Sequence, residues 1–584
     1  MKYKLLAAVV CAAVSSGVQA VTPYTLEEIG NYANAKHSYI TDVNENGQAV
    51  GVAQGIFNIT IDIAALDFED NNLENAYDNR KRYFESIEEE ITFTLADIEA
   101  GNINGDAQEF LQDFLYGRFL DSEYQKISGN GRNEFNVAIS YDETTKEIRL
   151  FDIEHDDYNG VTRSTENLIN AISDDGIMVG WGSAPFEKIS FTPDGQSESE
   201  THYTREFTKR GIVIRPDGSK VELPPIFDTY GGTSIASDIV KTEAGYLISG
   251  ESSISTASSP QEQVDDRCDN KDEPTQTCIE SYINSASLGL YNTRATLWHL
   301  DNDLNIIDTI DLGLGITPDE DEAERAYNST AYAVNKAGLV IGHSVVRYRD
   351  GDAITTYPVY YQNDEVIEFI DEEEYRPGGR AMAINESGII TGFAFKSIEG
   401  VSRSKFFYHD TETGETVFPA DFFKSSSAIA NDINENGMIV GQAETQASSS
   451  STRRKEGFLY NISTETLTNL NDLLPCKAAD GESSYPYVLA EATNILNDGT
   501  IYGSATKTVE KRDPLGNIVY DKDGKAERES IVVSVKLTPN ANGTPESCPT
   551  QEQETYQRKG GVTHWFALSL LSLIGLRRRV IKNK

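Results

Sequence analysis

The sequence predicts an all-β protein, a β-propeller of seven or eight blades with a small inserted helical cap. Three observations support this fold class. One hairpin motif recurs seven times, its clearest copies lie about fifty residues apart, and the segments between copies carry residues suited to a second hairpin. The spacing is 50 residues from Gly338 to Gly388 and 49 from Gly388 to Gly437. A four-stranded propeller blade has about this length, whereas a solenoid rung is far shorter.

The motif itself predicts a tight hairpin. The common pattern is small residue, two positions, Ile or Val, Asn, two positions, Gly, and then apolar residues that end in a second Gly, with the Asn present in four of the seven copies. An Asn side chain can hydrogen-bond the backbone two residues on, and Gly accepts a positive φ. The turn residues in the seven copies are Asn44, Gly47, Gly176, Gly245, Asn335, Gly338, Asn385, Gly388, Asn434, Gly437 and Gly499. The second glycine, for example Gly392, is expected where the returning strand passes close to another backbone.

The segments between motif copies indicate the other two strands of each blade. Residues 295–300, 404–409 and 456–461 are rich in aromatic and β-branched side chains and are followed by polar turns. Seven copies of the motif fit seven blades. The 129 residues between Gly47 and Gly176 could hold an additional blade without the motif, so eight blades stay open.

Part of that gap has helical rather than strand periodicity. The apolar residues Phe84, Ile87, Ile91, Leu95 and Ile98 recur at spacings of three, four, four and three, which predicts one amphipathic helix. A second short helix is predicted over residues 107–120. We interpret the region of about 65–125 as an inserted cap. A second decoration is predicted at residues 507–529, where two turn sequences indicate an extended hairpin.

The cysteines predict two disulfides. Cys268, Cys278, Cys476 and Cys548 lie beyond the predicted signal peptide, an even number in an exported chain. Cys268 and Cys278 are ten residues apart and would staple a loop at about residues 251–285, which leaves Cys476 to pair with Cys548 by elimination. Zinc is the alternative, but no CxxC or paired His accompanies these residues.

Both ends of the chain predict export. A basic start, an apolar stretch and small residues before Val21 form a secretory signal, with cleavage expected between Ala20 and Val21, so that residues 1–20 are removed. The repeat domain spans 21–540, and residues 541–559 form a polar stalk. The tail, 560–584, has Gly560 and Gly561, an apolar run at 562–576 and a basic end. Fifteen apolar residues make a helix of roughly 22 Å, short against a ~30 Å hydrocarbon core, so the tail is either a marginal anchor or a processed segment.

Two resemblances follow from these residues. Gly560-Gly561, Trp565, the Leu-rich run and the Arg cluster resemble the GlyGly-CTERM sorting tag of Gram-negative bacteria. That resemblance implies cleavage near the glycines by a rhomboid-type protease, the rhombosortase, after membrane contact through the tail, and then display on the cell surface or release. Without cleavage, the body would stay anchored to the inner membrane and face the periplasm. The repeated motif resembles the extracellular HAF repeat, which implies a fold and a location but no catalytic residues.

The charge of the body restricts its partners. The chain has 50 basic and 93 acidic residues, and seven of the basic ones lie in the predicted signal and tail, so the mature body would carry a net charge of −50. Such a surface repels nucleic acid and anionic lipid. Residues 42–47 and 432–437 resemble the first half of a calcium loop. The position of the final Glu is occupied by Ala53 or Ala443, however, so we read both segments as turns and predict no metal or cofactor.

The sequence contains no motif typical of an enzyme site. It has no G-x-S-x-G, H-E-x-x-H or P-loop, and we predict no catalytic residue. The favoured function is an exported, non-catalytic binding protein with an unknown extracellular ligand. Two alternatives stay open. A hydrolase of extracellular polymers would bring carboxylates and an Arg or Tyr together in the central funnel. A structural envelope protein would have that funnel closed by the cap.

Overall fold

The structure is a computed structural model with seven four-stranded antiparallel sheets arranged as the blades of a propeller. Residues 547–584 form a separate unit, of which Ser547 and Cys548 are described. The described residues are 22–548, except 60, 62, 64–65, 117–135, 156–159, 162–165, 270–271, 284–288, 319–324, 352, 448–452 and 479.

The first three blades follow one another along the chain, and each has its first strand innermost. Blade 1 contains β2 (Ala35–Val43), β3 (Ala49–Ile56), β4 (Asn136–Asp142) and β5 (Thr144–Ile148). Blade 2 contains β8 (Asn167–Ile172), β9 (Met178–Gly182), β12 (Arg210–Ile214) and β13 (Lys220–Leu223). Blade 3 contains β14 (Ser234–Lys241), β15 (Tyr246–Thr256), β16 (Tyr291–Leu300) and β17 (Ile306–Asp311). Two small hairpins are added, β6 (Glu154–His155) with β7 (Gly160–Val161) and β10 (Glu187–Phe191) with β11 (Glu200–Thr204).

The remaining blades repeat this order until the last one, which borrows a strand from the chain start. Blade 4 contains β18 (Ser329–Val334), β19 (Val340–Arg347), β20 (Ile354–Gln362) and β21 (Glu365–Glu368). Blade 5 contains β22 (Arg376–Ile384), β23 (Ile389–Ile398), β24 (Val401–Asp410) and β25 (Glu415–Val417). Blade 6 contains β26 (Ala428–Ile433), β27 (Met438–Glu444), β28 (Lys455–Asn461) and β29 (Thr466–Asn469). Blade 7 contains β30 (Val488–Ile495), β31 (Ile501–Glu510), β32 (Arg528–Pro539) and β1 (Tyr24–Glu28).

Blade 7 closes the ring. Its outermost strand β1 pairs antiparallel with β32 from the far end of the domain, in a register that puts Tyr24 opposite Pro539. The hydrophobic core lies between neighbouring blades, because each sheet buries apolar side chains on both faces. One such layer joins Val440 and Leu459 of blade 6 to Leu489 and Val535 of blade 7. The predicted all-β propeller is therefore confirmed.

The blade count is seven in the described residues. The gap between Gly47 and Gly176 contains the outer strands of blade 1, a helical insert and the small β6–β7 sheet, rather than an eighth four-stranded sheet. The strand segments predicted at 295–300, 404–409 and 456–461 are third strands, in β16, β24 and β28.

The second glycine of each motif lies at a bulge between the two inner strands. A Cβ on Gly392 would lie 2.0 Å from the carbonyl oxygen of Arg380 on the adjacent strand, where the pairing register shifts. The same contact in the other copies measures between 1.8 and 2.1 Å; these glycines are Gly51, Gly180, Gly250, Gly342, Gly441 and Gly503. The predicted close approach is confirmed, and the backbone that is approached belongs to the same hairpin.

The helical insert departs from the predicted single helix over Phe84–Ile98. Helix α1 (Asn71–Ser86) begins earlier and ends before Ile87, and α2 (Leu95–Glu99) starts anew. Three consecutive glutamates after Ile87 oppose the negative end of the helix dipole, and Thr94 with Asp97 forms a capping box that opens α2. Helix α3 (Gly105–Tyr116) follows. The insert has its own small core, which includes Leu73, Ile98, Phe110, Leu111 and Phe114.

The segment predicted as a stapled loop at 251–285 is mostly helical. Strand β15 continues to Thr256, and two helices follow, α4 (Ser258–Arg267) and α5 (Thr275–Ile283). A disulfide joins Cys268 to Cys278 between them. The sequence interpretation underestimated the apolar side chains of this Ser-rich stretch, because Val264, Ile279 and Tyr282 pack with the cystine to form a local core. Cys476 and Cys548 are each disulfide-bonded as well.

Several sequence predictions fall on residues outside the described part of the chain. They are the signal peptide with Ala20 and Val21, most of the stalk, and the tail with Gly560, Gly561 and the apolar run at 562–576. Among the helices that the structure does describe, none has the length and apolar character needed to cross a bilayer. Short 3-10 turns complete the described elements, at Thr229–Gly231, Tyr348–Asp350 and Leu470–Leu473.

Candidate functional site

The propeller has two functionally distinct faces, which we call the motif face and the insert face. The turns between the first and second strands, which carry the repeated motif, lie at the motif face. Because the strands are antiparallel, the connections from second to third strands emerge at the opposite end, the insert face. The helical insert leaves β3 there, the α4–α5 pair leaves β15, and the extended hairpin of residues 511–527 leaves β31. Long insertions are therefore concentrated at the insert face.

At the motif face, the motif Asn of four blades joins each of these blades to the next one. Asn385 Oδ1 accepts a hydrogen bond from Ile389 N inside its own turn, at 2.9 Å. Its Nδ2 donates to the carbonyl oxygen of Asn434 in the following blade, at 3.2 Å. The side chain needs one acceptor and one donor, which an ionised Asp cannot supply. Three other motif residues donate in the same way, at 2.9–3.2 Å; they are Asn44, Asn335 and Asn434.

A second set of inter-blade hydrogen bonds surrounds the channel mouth. Each involves the residue after the motif Asn. Glu386 N donates to Glu435 Oε1 at 2.8 Å, and Glu435 N donates to Asn497 Oδ1 at 2.9 Å. Asn497 Nδ2 in turn donates to Glu45 Oε1 at 2.7 Å, which connects blade 7 to blade 1. These bonds join the motif turns of blades 5, 6, 7 and 1 one after another.

Three aspartates lie inside the channel, each directly before the Ile or Val of its copy of the motif. Asp42, Asp238 and Asp432 belong to blades 1, 3 and 6, and each carboxylate accepts a hydrogen bond from the backbone of the next blade. These bonds measure 2.8–3.0 Å, and Asp432 for example accepts from Ile495 N. Asn494 Nδ2 of blade 7 donates to Asp42 Oδ1 at 3.0 Å.

Burial in the channel raises the pKa of all three carboxyls. The pKa of Asp238 rises to about 6 and that of Asp432 to about 7, in both cases chiefly because protein replaces water around them. Burial also raises the pKa of Asp42 well above its usual value, and the charge of Asp238 adds to this effect. Backbone N–H donors act in the opposite direction. Burial therefore favours the protonated form of these three carboxyls more than it is favoured in an exposed aspartate.

The described polar residues at the channel mouth connect neighbouring blades. Its cavity measures about 290 Å³ and is lined by residues from all seven blades. The lining in the described residues includes no Arg or Tyr, the companions expected of a hydrolase funnel. Within the same part of the chain, no group of three or more His, Cys, Asp or Glu side chains is placed to hold a metal ion. The channel carboxylates instead accept hydrogen bonds that join neighbouring blades.

The larger cavity lies at the insert face, and we call it the insert groove. It has a volume of about 1360 Å³ and lies between the helical insert and the hairpin of residues 511–527. Blades 1 and 7 are neighbours in the closed ring, so the two insertions meet. Asn58 N donates to Pro514 O at 2.8 Å, which ties the beginning of the insert to the hairpin.

Exposed aromatic and aliphatic side chains border the insert groove. Seven large hydrophobic side chains are substantially exposed in the described residues, and three of them line this cavity. They are Tyr83 at 56%, Ile87 at 44% and Tyr520 at 60% exposure. Phe110 and Phe114 of α3 stack below them with ring centroids 6.3 Å apart. The groove therefore offers apolar contact area that folding has left accessible.

Carboxylates outnumber bases in the insert groove. Its described lining contains nine acidic and three basic side chains. Arg80 is paired with Glu109 at 3.0 Å and Asp113 at 3.4 Å, and its guanidinium lies 5.5 Å from the centre of the Phe84 ring. Burial raises the pKa of Asp113. The sequence did not reveal this groove, because its walls are more than 400 residues apart in the chain and the ring closure brings them together.

Comparisons with known proteins give one family match and several distant structural matches. A family model described as "Protein of unknown function (DUF3466)" matches residues 1–579. Among curated proteins, no sequence matches this chain. A puromycin hydrolase mutant complexed with PGG is 12% identical, with a TM-score of 0.30, over 64% of this chain and 46% of that chain.

Two further solved structures are similarly distant. Dipeptidyl peptidase 4 of Porphyromonas gingivalis is 8% identical, with a TM-score of 0.28, over 69% of this chain and 56% of its own. A puromycin-hydrolyzing peptidase of Mycobacterium tuberculosis is 11% identical, with a TM-score of 0.26, over 65% and 55%. This chain thus spans about half the length of the structures that it matches. At these scores the matches carry no argument about activity.

Proposed function

The chain belongs to the DUF3466 family of proteins of unknown function, and we propose that it is an exported, non-catalytic binding protein whose ligand occupies the insert groove. The propeller supplies a rigid frame, and the insertions of blades 1 and 7 supply the binding surface. The ligand that this site suits is a segment of an extracellular polymer.

The observation that carries the proposal is the exposure of Tyr83, Ile87 and Tyr520 around one large cavity. Clustered exposed apolar side chains on a soluble surface mark interaction sites, because water contact with them is unfavourable. The groove volume of about 1360 Å³ exceeds the ~300–1,000 Å³ typical of small-molecule pockets. An extended polymer segment fits a cavity of this size and openness better than a small metabolite does.

Binding is preferred over hydrolysis because of how the channel carboxylates are used. Asp42, Asp238 and Asp432 accept backbone hydrogen bonds that join blades, so a catalytic role would compete with a structural one. A structural envelope role would require the helical cap to close the funnel. No described residue of the helical insert lines the channel-mouth cavity, which disfavours that alternative.

Export is part of the proposal. Signal peptidase would cleave after Ala20, and a rhomboid-type protease would cleave near Gly560 and Gly561, which releases the body to the cell surface or medium of a Gram-negative host. Intact mass of the exported protein, with and without that protease, tests this part. A mature species from Val21 to about Gly560 that is lost without the protease supports it, and retention of the tail through Lys584 contradicts it.

Binding is tested with the full chain and a panel of immobilised extracellular polymers, namely neutral glucans, acidic polysaccharides, and basic and acidic peptides. The variant Tyr83→Ala/Tyr520→Ala removes the two exposed rings of the groove. The matched control Ile307→Ala/Val401→Ala removes two exposed apolar side chains outside it, of 66% and 49% exposure. We expect at least one polymer to lose ~10-fold or more affinity with the groove variant alone. If no polymer separates the two variants, the groove is not the binding site.

A further inference from the structure

We infer that the polymer held in the insert groove is a cationic polypeptide segment that carries apolar side chains. This inference rests on the proposed function and adds the chemical class of the ligand. Three features support it: the excess of carboxylates in the groove, the acidic turn after α1 and the position of the exposed rings.

Most of the basic charge of the groove is already neutralised within it. Arg80 forms ion pairs with Glu109 and Asp113, and Lys511 pairs with Glu527 at 2.8 Å. The carboxylates not used in these pairs far outnumber Lys522, the third base of the lining. Within the described residues, the groove thus presents a local negative potential. A cationic ligand would be attracted to it, whereas nucleic acid, anionic lipid and acidic polysaccharide would be repelled.

The acidic turn is Glu88–Glu90, directly after α1. All three side chains are exposed, and no described cation forms an ion pair with them. The backbone there is fixed, because Glu88 adopts a φ of 60° and Glu89 N donates to Phe84 O at 3.0 Å. Three carboxylates on a fixed turn form a cluster that a Lys or Arg side chain can approach without reorganising the protein.

The turn on the hairpin side of the groove carries two carboxylates, Asp521 and Asp523, and two bases, Lys522 and Lys525. Asp521 Oδ1 accepts hydrogen bonds from Asp523 N and Lys525 N, both at 2.9 Å, and this fixes the turn next to Tyr520. The insert and the hairpin thus each pair carboxylates with an exposed tyrosine, Tyr83 on one and Tyr520 on the other.

The combination of rings and carboxylates selects among polymers. A tyrosine face attracts a Lys or Arg cation by roughly 0.5–1 kcal/mol at an exposed site, and it also packs against aliphatic side chains. A neutral glycan would use the rings but would gain nothing from the excess of carboxylates. A peptide with alternating basic and apolar residues uses both, since successive side chains of an extended strand point to opposite sides.

The inference is tested by fluorescence anisotropy with the full chain. The probes are a labelled twelve-residue peptide of alternating Lys and Leu, the corresponding Glu and Leu peptide, and a labelled neutral glucan. The variant Glu88→Gln/Glu89→Gln/Glu90→Gln removes one acidic turn. The matched control is Glu412→Gln/Glu415→Gln/Glu465→Gln, whose three exposed carboxylates lie at the motif face, Glu412 and Glu465 in turns and Glu415 at the start of β25.

We expect the Lys–Leu peptide to bind and the Glu–Leu peptide not to bind. The groove variant should weaken Lys–Leu binding by ~10-fold at low salt, and the loss should shrink as salt rises, since the Debye length falls to ~10 Å at 0.1 M. The control should bind as the unmodified protein does. Glucan binding that depends on Tyr83 and Tyr520, without peptide binding, would overturn the ligand class and leave the proposed function standing. If neither peptide binding nor glucan binding changes in the groove variants, both the ligand class and the proposed function are overturned.

Discussion

The substitution Asn385→Asp tests whether the repeated motif Asn holds neighbouring blades together. It keeps the size of the side chain and its Oδ1 acceptor for Ile389 N, but it replaces the Nδ2 donor with an oxygen that faces Asn434 O. Asn385 is only 4% exposed, so water cannot readily substitute for the lost donor.

The expected cost follows from the contacts removed. The lost hydrogen bond contributes about 1 kcal/mol, and leaving the Asn434 carbonyl buried without this donor costs about 1–3 kcal/mol more. We therefore expect the free energy of unfolding to fall by about 2–4 kcal/mol at neutral pH. For a domain of ~500 residues this lowers the melting midpoint by only about 2–4 °C, because the unfolding entropy grows with chain length.

The pH dependence provides a sharper readout than the midpoint alone. Burial and the neighbouring Asn434 carbonyl oxygen would raise the pKa of an aspartic acid at position 385, so its protonated form would be favoured in the folded state. Protonated, its O–H can donate to Asn434 O as the amide does. The difference in melting midpoint between variant and unmodified protein should therefore be small near pH 5 and should grow towards pH 8, by scanning calorimetry.

The matched control is Asn461→Asp at the outer hairpin of blade 6. Asn461 Oδ1 accepts hydrogen bonds from Ser463 N, Ser463 Oγ and Thr464 N, all of which a carboxylate can also accept. This variant should melt within about 1 °C of the unmodified protein, as surface substitutions usually do. If Asn385→Asp melts like Asn461→Asp at pH 8, the inter-blade role of the motif Asn is refuted.

Three further predictions concern the blades and the α4–α5 pair. Gly392→Ala places a Cβ 2.0 Å from a backbone oxygen and should abolish soluble folded protein, whereas Gly351→Ala, whose nearest atom is 3.3 Å away, should not; equal yields would contradict this. Folding raises the pKa of Asp432 to about 7, so the folded protein keeps a proton that the unfolded chain releases near pH ~4. The contribution of Asp432 to the free energy of unfolding therefore falls as pH rises through 7. The melting midpoint should therefore fall less between about pH 5.5 and 8 in Asp432→Asn than in the unmodified protein. An equal fall in both proteins would show that the titration of Asp432 does not cause it. Replacing Cys268 and Cys278 by Ser should cost about 3 kcal/mol locally and speed amide exchange in α4 and α5, without changing exchange in the blades.

The repeat fold was predictable because its information is local. Every copy of the motif contains its own turn residues, and a Gly with positive φ or an Asn in a tight turn is needed wherever the copy lies in the chain. Gly47, Gly338 and Gly437 adopt φ values of 78°, 81° and 70°, as the motif requires. The spacing of about fifty residues between motif copies then indicated blades of four strands.

The helical segments were predicted less well, for reasons that are also local. The apolar period from Phe84 to Ile98 is continuous in the sequence, but the glutamates after Ile87 and the capping box at Thr94 interrupt the helix. A capping sequence can start a new helix even where the apolar spacing continues. The apolar spacing alone therefore does not show where one helix ends and the next begins. In the 251–285 segment, helix formation depends on a local core around Val264, which composition did not reveal.

The sequence by itself determined the β-propeller, the hairpin turns and the acidic charge, because each depends on short-range patterns or on simple totals. Tertiary structure alone decided the number of blades, the second partner of the motif Asn, the raised pKa values of the channel aspartates and the insert groove. All of these depend on how the blades pack around the ring, and its closure places Tyr83 and Tyr520 beside one cavity although hundreds of residues separate them. Contacts of that kind come from the packing of whole blades, and no local sequence pattern encodes them.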